Sequence, residues 1–255
     1  MPTAQRTYVI TGAASGIGLE TKRLLESQGH RVIGADLHDA DVIADLGTAA
    51  GRSALVSQVS ALSGGAIDAV LAVAGIDAHG PLTAAVNYYG AIATLEGLRP
   101  LMLASAAPRA VAVSSITSVH PYDPQLLNAL LDASEALAME KAAEERFVYA
   151  TSKRALSRWI RRNALKPAWA GTGIPLNAIA PGLVRTELLK RLFDDPPTRQ
   201  RIIAGTPMPL GGPYEPIAAA RLLAWLSSEE NGHMTGQTVF IDGGADLVIR
   251  GDETW

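Results

Sequence analysis

The sequence predicts an α/β fold, a doubly wound parallel sheet with helices on both faces, from three observations. Short runs rich in Val and Ile alternate with longer stretches of helical period. The short runs are apolar almost throughout, as in strands buried on both faces, rather than at every second position. Most are followed by Gly, Asp or Pro, which end strands. A strand–helix repeat of this kind closes through right-handed crossovers into a parallel sheet.

In chain order, Thr7–Thr11 is the first expected strand and Ile17–Gln28 the first helix. Arg31–Ala35 follows as a strand and Thr48–Leu62 as a helix. Ala66–Val73 and Ala110–Ser114 are the third and fourth strands, separated by a helical stretch over Leu82–Ala104. Phe147–Ala168 is a helix, Ile174–Ile179 a strand, Pro216–Ser228 a helix and Thr238–Ile241 the last strand. Two segments interrupt the alternation. Residues 116–147 contain Pro121 and Pro124, then Leu126, Leu127, Leu130, Leu131 and Leu137 on a helical face. They read as a helical insertion between the fourth strand and the helix that carries Tyr149. Residues 183–214 hold a short helical pattern, Glu187–Phe193, then a tract rich in proline and glycine, and read as a lid. Both follow strands, at the carboxyl edge where open α/β sheets bind ligands. No linker or repeat divides the series, so residues 1–255 are expected to form a single domain.

The chain has 255 residues, 48% hydrophobic and 18% charged, enough to bury a sizeable core and to exclude disorder as its main state. Its 22 Lys and Arg against 25 Asp and Glu create no field that would draw nucleic acid or anionic lipid. The absence of Cys excludes disulfides, thiolate metal sites and a cysteine nucleophile. The five histidines, His30, His38, His79, His120 and His233, lack metal-ligand spacing, so no metal is expected. His120, nearest the fourth strand, is a candidate substrate contact or an ordinary capping residue. No apolar run nears the about 20 residues that cross a bilayer, and no signal peptide is readable. A soluble, cytoplasmic protein is expected. No Gly-x-Ser-x-Gly elbow points to an α/β hydrolase. Arg158, Arg161 and Arg162 have no aromatic stripe beside them and read as a solvated or interface face.

Thr11-Gly12-Ala13-Ala14-Ser15-Gly16-Ile17-Gly18 follows the first strand and opens the first helix. Gly12 suits a tight turn, Gly16 a close backbone approach to a pyrophosphate, and Gly18 close helix–strand packing. Phosphates would then lie over the free N–H groups of the helix N-terminus. The second strand runs into Asp36, eighteen residues after Gly18, near the distance expected of a ribose-binding acid. A carboxylate there accepts the ribose hydroxyls of NAD and repels a 2′-phosphate, unless it merely caps a loop. No Lys or Arg stands beside it, so NAD is preferred to NADP. This is a Rossmann-type arrangement.

Tyr149-Ala150-Thr151-Ser152-Lys153 sets a phenol and an ammonium four residues apart, on one helical face. A nearby cation favours the phenolate, so Lys153 and a positive nicotinamide would bring Tyr149 towards the operating pH. Alternatively the pair is two surface residues of an amphipathic helix. Val113-Ser114-Ser115 ends the fourth strand at the same edge, where Ser115 would hold a substrate oxygen or simply cap the loop. Asn87, expected in mid-helix, is unfavourable there and suggests a buried polar partner.

These motifs, in their order, resemble the short-chain dehydrogenase/reductase family over nearly the whole chain. They are the Thr11–Gly18 turn, Asp36, Asp45-Leu46, Ala74-Gly75, Asn87, Ser115, Tyr149 with Lys153, Ile179-Ala180-Pro181-Gly182, and Ile241-Asp242-Gly243-Gly244. The resemblance implies Tyr149 as general acid/base, Lys153 as ligand of the nicotinamide ribose and tuner of the phenol, and Ser115 as orienter of the carbonyl. It implies Asn87 as holder of a water in a proton relay. Cofactor contacts would come from Gly12, Ser15, Gly16, Ile17, Gly18, Asp36, Leu37, Asp45, Leu46, Ala74 and Gly75, besides Tyr149 and Lys153. Pro181, Gly182, Val184 and Thr186 would meet the nicotinamide end. Ala35–Leu46, Val86–Ala91, Val113–His120 and Phe240–Arg250 are most similar to a bacterial hydroxysteroid dehydrogenase/carbonyl reductase branch, which also carries a long helical insertion between Ser and Tyr. Here 33 residues separate Ser115 from Tyr149. Ala72-Val73-Ala74-Gly75 departs from the family's common Asn-Asn-Ala-Gly.

The implied activity is NAD(H)-dependent interconversion of an apolar, bulky secondary alcohol and its ketone, in a homo-oligomer, dimer or tetramer. The insertion lies where one family interface forms, and its apolar face is expected to cap or alter that contact. Leu188, Leu189, Leu192, Phe193, Ile202, Ile203 and Met208 would line an apolar site or pack the lid onto the domain. An epimerase or dehydratase on the same motifs would be expected to carry a further substrate region of a hundred residues or so. A non-catalytic NAD-binding module would not need Asn87, Ser115, Tyr149 and Lys153 together.

Overall fold

The structure, a computed structural model, describes residues 5–252. Among them, seven strands form one parallel sheet: β1 (Thr7–Thr11), β2 (Arg31–Asp36), β3 (Val42–Ile43), β4 (Ala69–Ala72), β5 (Arg109–Val113), β6 (Leu176–Pro181) and β7 (Thr238–Ile241). Their order across the sheet is β3-β2-β1-β4-β5-β6-β7. Val9 of β1 sits opposite Ile33 on one side and Val70 on the other. The winding reverses between β1 and β4, and that reversal opens the crevice used below.

Side chains alternate across each strand, and both faces are covered. Val9, Ile33, Val70 and Ala112 pack into one core with Leu55, Leu95, Leu156 and Trp159. Tyr8, Ile10, Leu71 and Val111 pack into the other with Leu25, Ala219 and Leu223. The first core lies under helices α2 (Ala49–Ser63), α4 (Ala91–Leu98) and α7 (Val148–Asn163). The second lies under α1 (Gly16–Ser27) and α10 (Pro216–Ser227), which pack on each other. Burial on both faces explains why the strands read as continuous apolar runs.

Several boundaries differ from the sequence expectation. β3 is an added strand of two residues, pairing Val42 with Ala35 and Ile43 with Asp36, too short to show any hydrophobic period. The helical insertion therefore follows the fifth strand, not the fourth. The single helix expected over 82–104 is a series: α3 (Pro81–Ala84), a π-helical turn over Ala85–Gly90, α4, and a 3-10 turn over Arg99–Met102. Pro100 cannot continue the α-helical ladder, which accounts for the last change.

The insertion consists of a 3-10 turn (Ile116–Val119) and helices α5 (Pro124–Leu131) and α6 (Glu135–Glu144). Leu126, Leu127 and Leu130 are buried, and α5 packs on α7 while α6 packs on α3. Leu137, expected on the same face, belongs to the separate helix α6 and is 42% exposed. Residues 183–214 form α8 (Glu187–Phe193) and, unexpectedly, α9 (Pro196–Gly205), started by Pro196 at its first position and capped by Asp195. The chain then reaches β7 through α10 and ends its described part in α11 (Ala245–Arg250). None of these helices is long and apolar enough to cross a membrane.

Asp123 caps α5, its carboxylate accepting from the Leu126 N–H at 2.5 Å. Asp123→Ala is expected to lower stability by about 1 kcal/mol, read by urea denaturation. An unchanged midpoint would show that tertiary packing alone sets this helix.

Candidate active site

Strands β1, β4, β5 and β6 deliver their carboxyl ends to one cavity of about 520 Å³. Gly12, Val73, Val113 and Pro181 line it, one from each strand end. Gly12 has φ +72°, and a Cβ there would lie 2.9 Å from the Ala74 backbone, so only glycine fits both the turn and the approach to the next loop. Gly18 is pressed against the Gly12 carbonyl, leaving no room for a side chain between turn and helix. Ser15 is the N-cap of α1, yet its hydroxyl makes no capping bond. The first turn of a twelve-residue helix thus presents N–H groups and a spare hydroxyl to the cavity, a fit for a pyrophosphate.

Asp36 ends β2 with one carboxylate oxygen on the Ala14 N–H at 2.9 Å and the other on the Leu37 N–H at 2.7 Å. The first of these bonds ties the acid to the glycine-rich turn. Leu37 beside it is exposed. Asp36, Leu37, Asp45 and Leu46 lie outside the cavity wall. Asp45 turns its carboxylate onto the Gly47 N–H, and Leu46 is buried in the first core. For that pair the structure shows a turn and a packing role.

The catalytic candidates converge. Ser115 follows β5 in extended conformation, accepts from the Thr117 N–H at 3.2 Å, and shares the cavity wall with Tyr149. Tyr149 and Lys153 lie on one face of α7, with the ammonium 5.8 Å from the phenol ring centroid. Lys153 donates to the Val113 carbonyl at 2.9 Å, and Ser114 donates to the Lys153 carbonyl at 3.0 Å, so α7 is fastened twice to the end of β5. A Cβ at Gly75 would stand 2.9 Å from Lys153 Nζ and 3.3 Å from Asn87 Oδ1, so the glycine keeps these groups in close company.

Asn87 is fully buried in the π-helical turn. Its Oδ1 accepts from the Ile76 N–H at 2.8 Å, and its Nδ2 donates to the Ile76 carbonyl at 2.9 Å and towards Ser152 at 3.3 Å. The polar partner suspected from its mid-helix position is therefore the backbone after β4. The side chain acts as a positioning residue for that loop. The π-turn, a device frequent at functional sites, is what aims it.

Burial moves the phenol and the ammonium in opposite directions. Burial pushes Tyr149 up to about 12, opposed by the neighbouring Ser115 hydroxyl and helped by the Asp77 carboxylate. Burial alone lowers Lys153 to about 8. Desolvation is the dominant effect on both groups, and the ammonium is turned to the Val113 carbonyl.

The remaining candidates divide. Ala74, Gly75, Gly182, Val184 and Thr186 line the cavity with Ser15, Gly16, Ile17 and Gly18. Leu188, Leu189, Leu192 and Ile202 also line it, whereas Phe193, Ile203 and Met208 do not. Ile203 is exposed on an outer groove of α9, and Met208 packs against Gly182 and Gly243. Residue-by-residue reading missed Asp77 and Thr117, both cavity-lining; the only signal was their place just after a strand end.

The 3-alpha-hydroxysteroid dehydrogenase/carbonyl reductase of Comamonas testosteroni is 37% identical over 255 residues, 95% of this chain and 97% of that protein. The chain belongs to the short-chain dehydrogenase/reductase family. As a member it is an oxidoreductase. Residues 130–246 match the family model described as enoyl-(acyl carrier protein) reductase. The coniferyl-alcohol dehydrogenase of Pseudomonas sp. (strain HR199 / DSM 7063) is 32% identical over 96% of this chain and 98% of its own. The crystal structure of the 3-alpha-hydroxysteroid dehydrogenase from Pseudomonas sp. B-0831 complexed with NADH superposes with a TM-score of 0.92 at 37% identity. It covers 96% of this chain and 99% of its own.

The Lys153 environment makes a stability prediction. Folded, the ammonium titrates near 8; unfolded, near 10.5. Between those values the unfolded chain binds the extra proton, so this residue's contribution to stability rises with pH across that window. Urea denaturation of the cofactor-free protein should show wild type gaining on Lys153→Met from pH 8 to 10.5. A flat difference would contradict the burial argument.

Proposed function

We propose that the chain is an NAD(H)-dependent oxidoreductase that interconverts an apolar, bulky secondary alcohol and its ketone, steroid-like compounds included. The observation that carries this reading is Tyr149, Lys153 and Ser115 lining the same cavity as the glycine cradle of α1. The relatives' names point the same way, as does the NADH in the Pseudomonas sp. B-0831 complex.

Gly12, Ser15, Gly16, Ile17 and Gly18 would hold the pyrophosphate, and Asp36 the adenosine ribose. Lys153 would hold the nicotinamide ribose, with Ala74, Gly75, Pro181, Gly182, Val184 and Thr186 around the nicotinamide end. Bound NAD supplies the acceptor for the hydride. Tyr149 takes the alcohol proton at its phenolic oxygen as the carbonyl forms, and returns it in reduction. Ser115 orients the same substrate oxygen. Lys153 keeps a positive charge beside the phenol, and Asn87 steadies the loop that borders both. Residues 183–214 serve as the substrate lid. Their apolar members Leu188, Leu189, Leu192 and Ile202, with Leu183, exclude water and accept the body of the substrate.

The same reading takes residues 1–255 as a single catalytic domain, working in the cytoplasm as a homo-oligomer. The outer edge of β7 supports the last point: all four of its residues are half-buried, and no described strand pairs beyond it.

A reduced-nicotinamide absorbance assay across steroid, aryl and cyclic alcohols tests the reaction. Tyr149→Phe should bind NADH within about threefold of wild type and lose turnover by about a hundredfold or more. Equal loss of NADH affinity and turnover would instead mark Tyr149 as structural. Asp36 sets a second expectation: wild type prefers NAD to NADP, and Asp36→Ser narrows the gap. Equal rates with the two cofactors in wild type would remove Asp36 from the ribose site.

A further inference from the structure

Asp77 has no structural partner. It stands two residues past Gly75 in the loop after β4 and lines the cavity with Tyr149 and Ser115. Half-buried, it accepts no hydrogen bond and meets no cation at ion-pair distance among the described residues; burial raises its carboxyl above the usual range, opposed by the nearby His79. It does not cap α3, whose N-cap is Gly80, and the nearby Ala78 N–H donates to Thr83 instead. Lys153, the buried cation of the site, donates to the Val113 carbonyl and forms no ion pair with Asp77 among the described residues. A carboxylate held partly out of water without a donor is costly, and such exceptions ask for a ligand or a bound water.

Its location points to the substrate rather than the cofactor. It shares the cavity wall with Tyr149 and Ser115, the pair assigned to the substrate oxygen. A carboxylate would also repel the phosphates that the Gly12–Gly18 turn is shaped to hold. Polar atoms without a protein partner recur on the neighbouring wall. Thr117 Oγ1 and His120 Nε2, both on the turn after Ser115, are buried and unbonded, and both residues line the cavity. The wall that carries Ser115 is therefore polar, while Leu188, Leu189, Leu192 and Ile202 add an apolar stretch from the lid, beside Glu187 and Arg201.

We propose that Asp77 determines specificity, and that the preferred substrate is an apolar secondary alcohol bearing a second hydrogen-bond donor, hydroxyl or ammonium, close to the reacting carbon. This rests on the oxidoreductase reading above and narrows its substrate class. A carboxylate in a largely apolar wall favours a donor and rejects its plain hydrocarbon counterpart, because that counterpart leaves the charge unpaired.

The test uses three matched compounds: decalol, the vicinal decalin diol and the vicinal amino decalol. With wild type, kcat/KM for the diol or the amino alcohol should exceed that for decalol by about tenfold or more, mainly through KM. Asp77→Leu should erase the preference. Asp77→Asn keeps the size and one acceptor oxygen, so it should lose a preference for the amino alcohol and retain much of one for the diol. That contrast separates the two donors, and Asp77→Asn also serves should the leucine variant fail to fold, as judged by thermal midpoint and NADH affinity. Equal use of all three compounds, or a preference that survives Asp77→Leu, overturns the proposal. Calorimetric titration of the NAD-loaded protein with the same compounds reads the preference without chemistry. Donor-selective binding with no turnover would sink the oxidoreductase reading and leave Asp77 standing. Turnover of decalol with no selectivity in either measurement would do the reverse, and no binding of any compound overturns the Asp77 role.

Discussion

The site depends on one buried ammonium. Lys153 is 2% exposed and, among the described residues, has no carboxylate partner, only the Val113 carbonyl at the end of β5. One acceptor leaves donor capacity for the cavity, because an ammonium carries three N–H groups. It also fixes the neighbours. A Cβ on Gly75 would press on Nζ at 2.9 Å and displace it, and α7 cannot slide without breaking the bond to β5. Tyr149, one turn earlier on the same helix, is held against Ser115 by that constraint. A strand end, a helix face and a loop glycine are registered through a single charged atom.

Burial has opposite effects on the two groups of this pair, and magnitude decides the outcome. It raises the phenol to about 12 and lowers the ammonium to about 8. Near neutrality a neutral phenol therefore stands beside a protonated lysine. The phenol is ready to donate, while the deprotonated form needs more positive charge than Lys153 provides from its post at Val113. Asp77 works against that deprotonated form, which makes its presence in the cavity harder to explain as a device for the proton step and easier as a device for recognition.

The sequence was most legible where backbone geometry demands a residue type. Gly12 and Gly18 were readable because a positive φ and a close carbonyl leave no alternative, and the core strands because burial on both faces removes polar residues from them. Tyr149, Lys153 and Ser115 were legible as a family pattern and met in one cavity. What escaped was set by tertiary context. β3 has two residues and exists because β2 offers an edge. The π-turn around Asn87 is fixed by the amide's bonds to Ile76, a partner eleven positions away that no periodicity reveals. Helix α9 hid in a tract of prolines, since Pro196 breaks a helix in its interior but starts one at its first turn.

The same distinction explains why the cofactor end and the substrate end differ in how much they disclose. A pyrophosphate is recognised by backbone N–H groups, so its site reduces to glycines and a helix start, which any reading of the chain can find. An apolar alcohol is recognised by whatever side chains the lid brings over it, and most such residues serve equally well as packing. Leu189 and Ile203 are indistinguishable in sequence, yet one faces the cavity and the other solvent. A charged residue is different, because an unpaired carboxylate has no packing role to hide behind. Asp77 is thus the position in the substrate wall where the chemistry of the ligand leaves a mark that geometry alone does not explain.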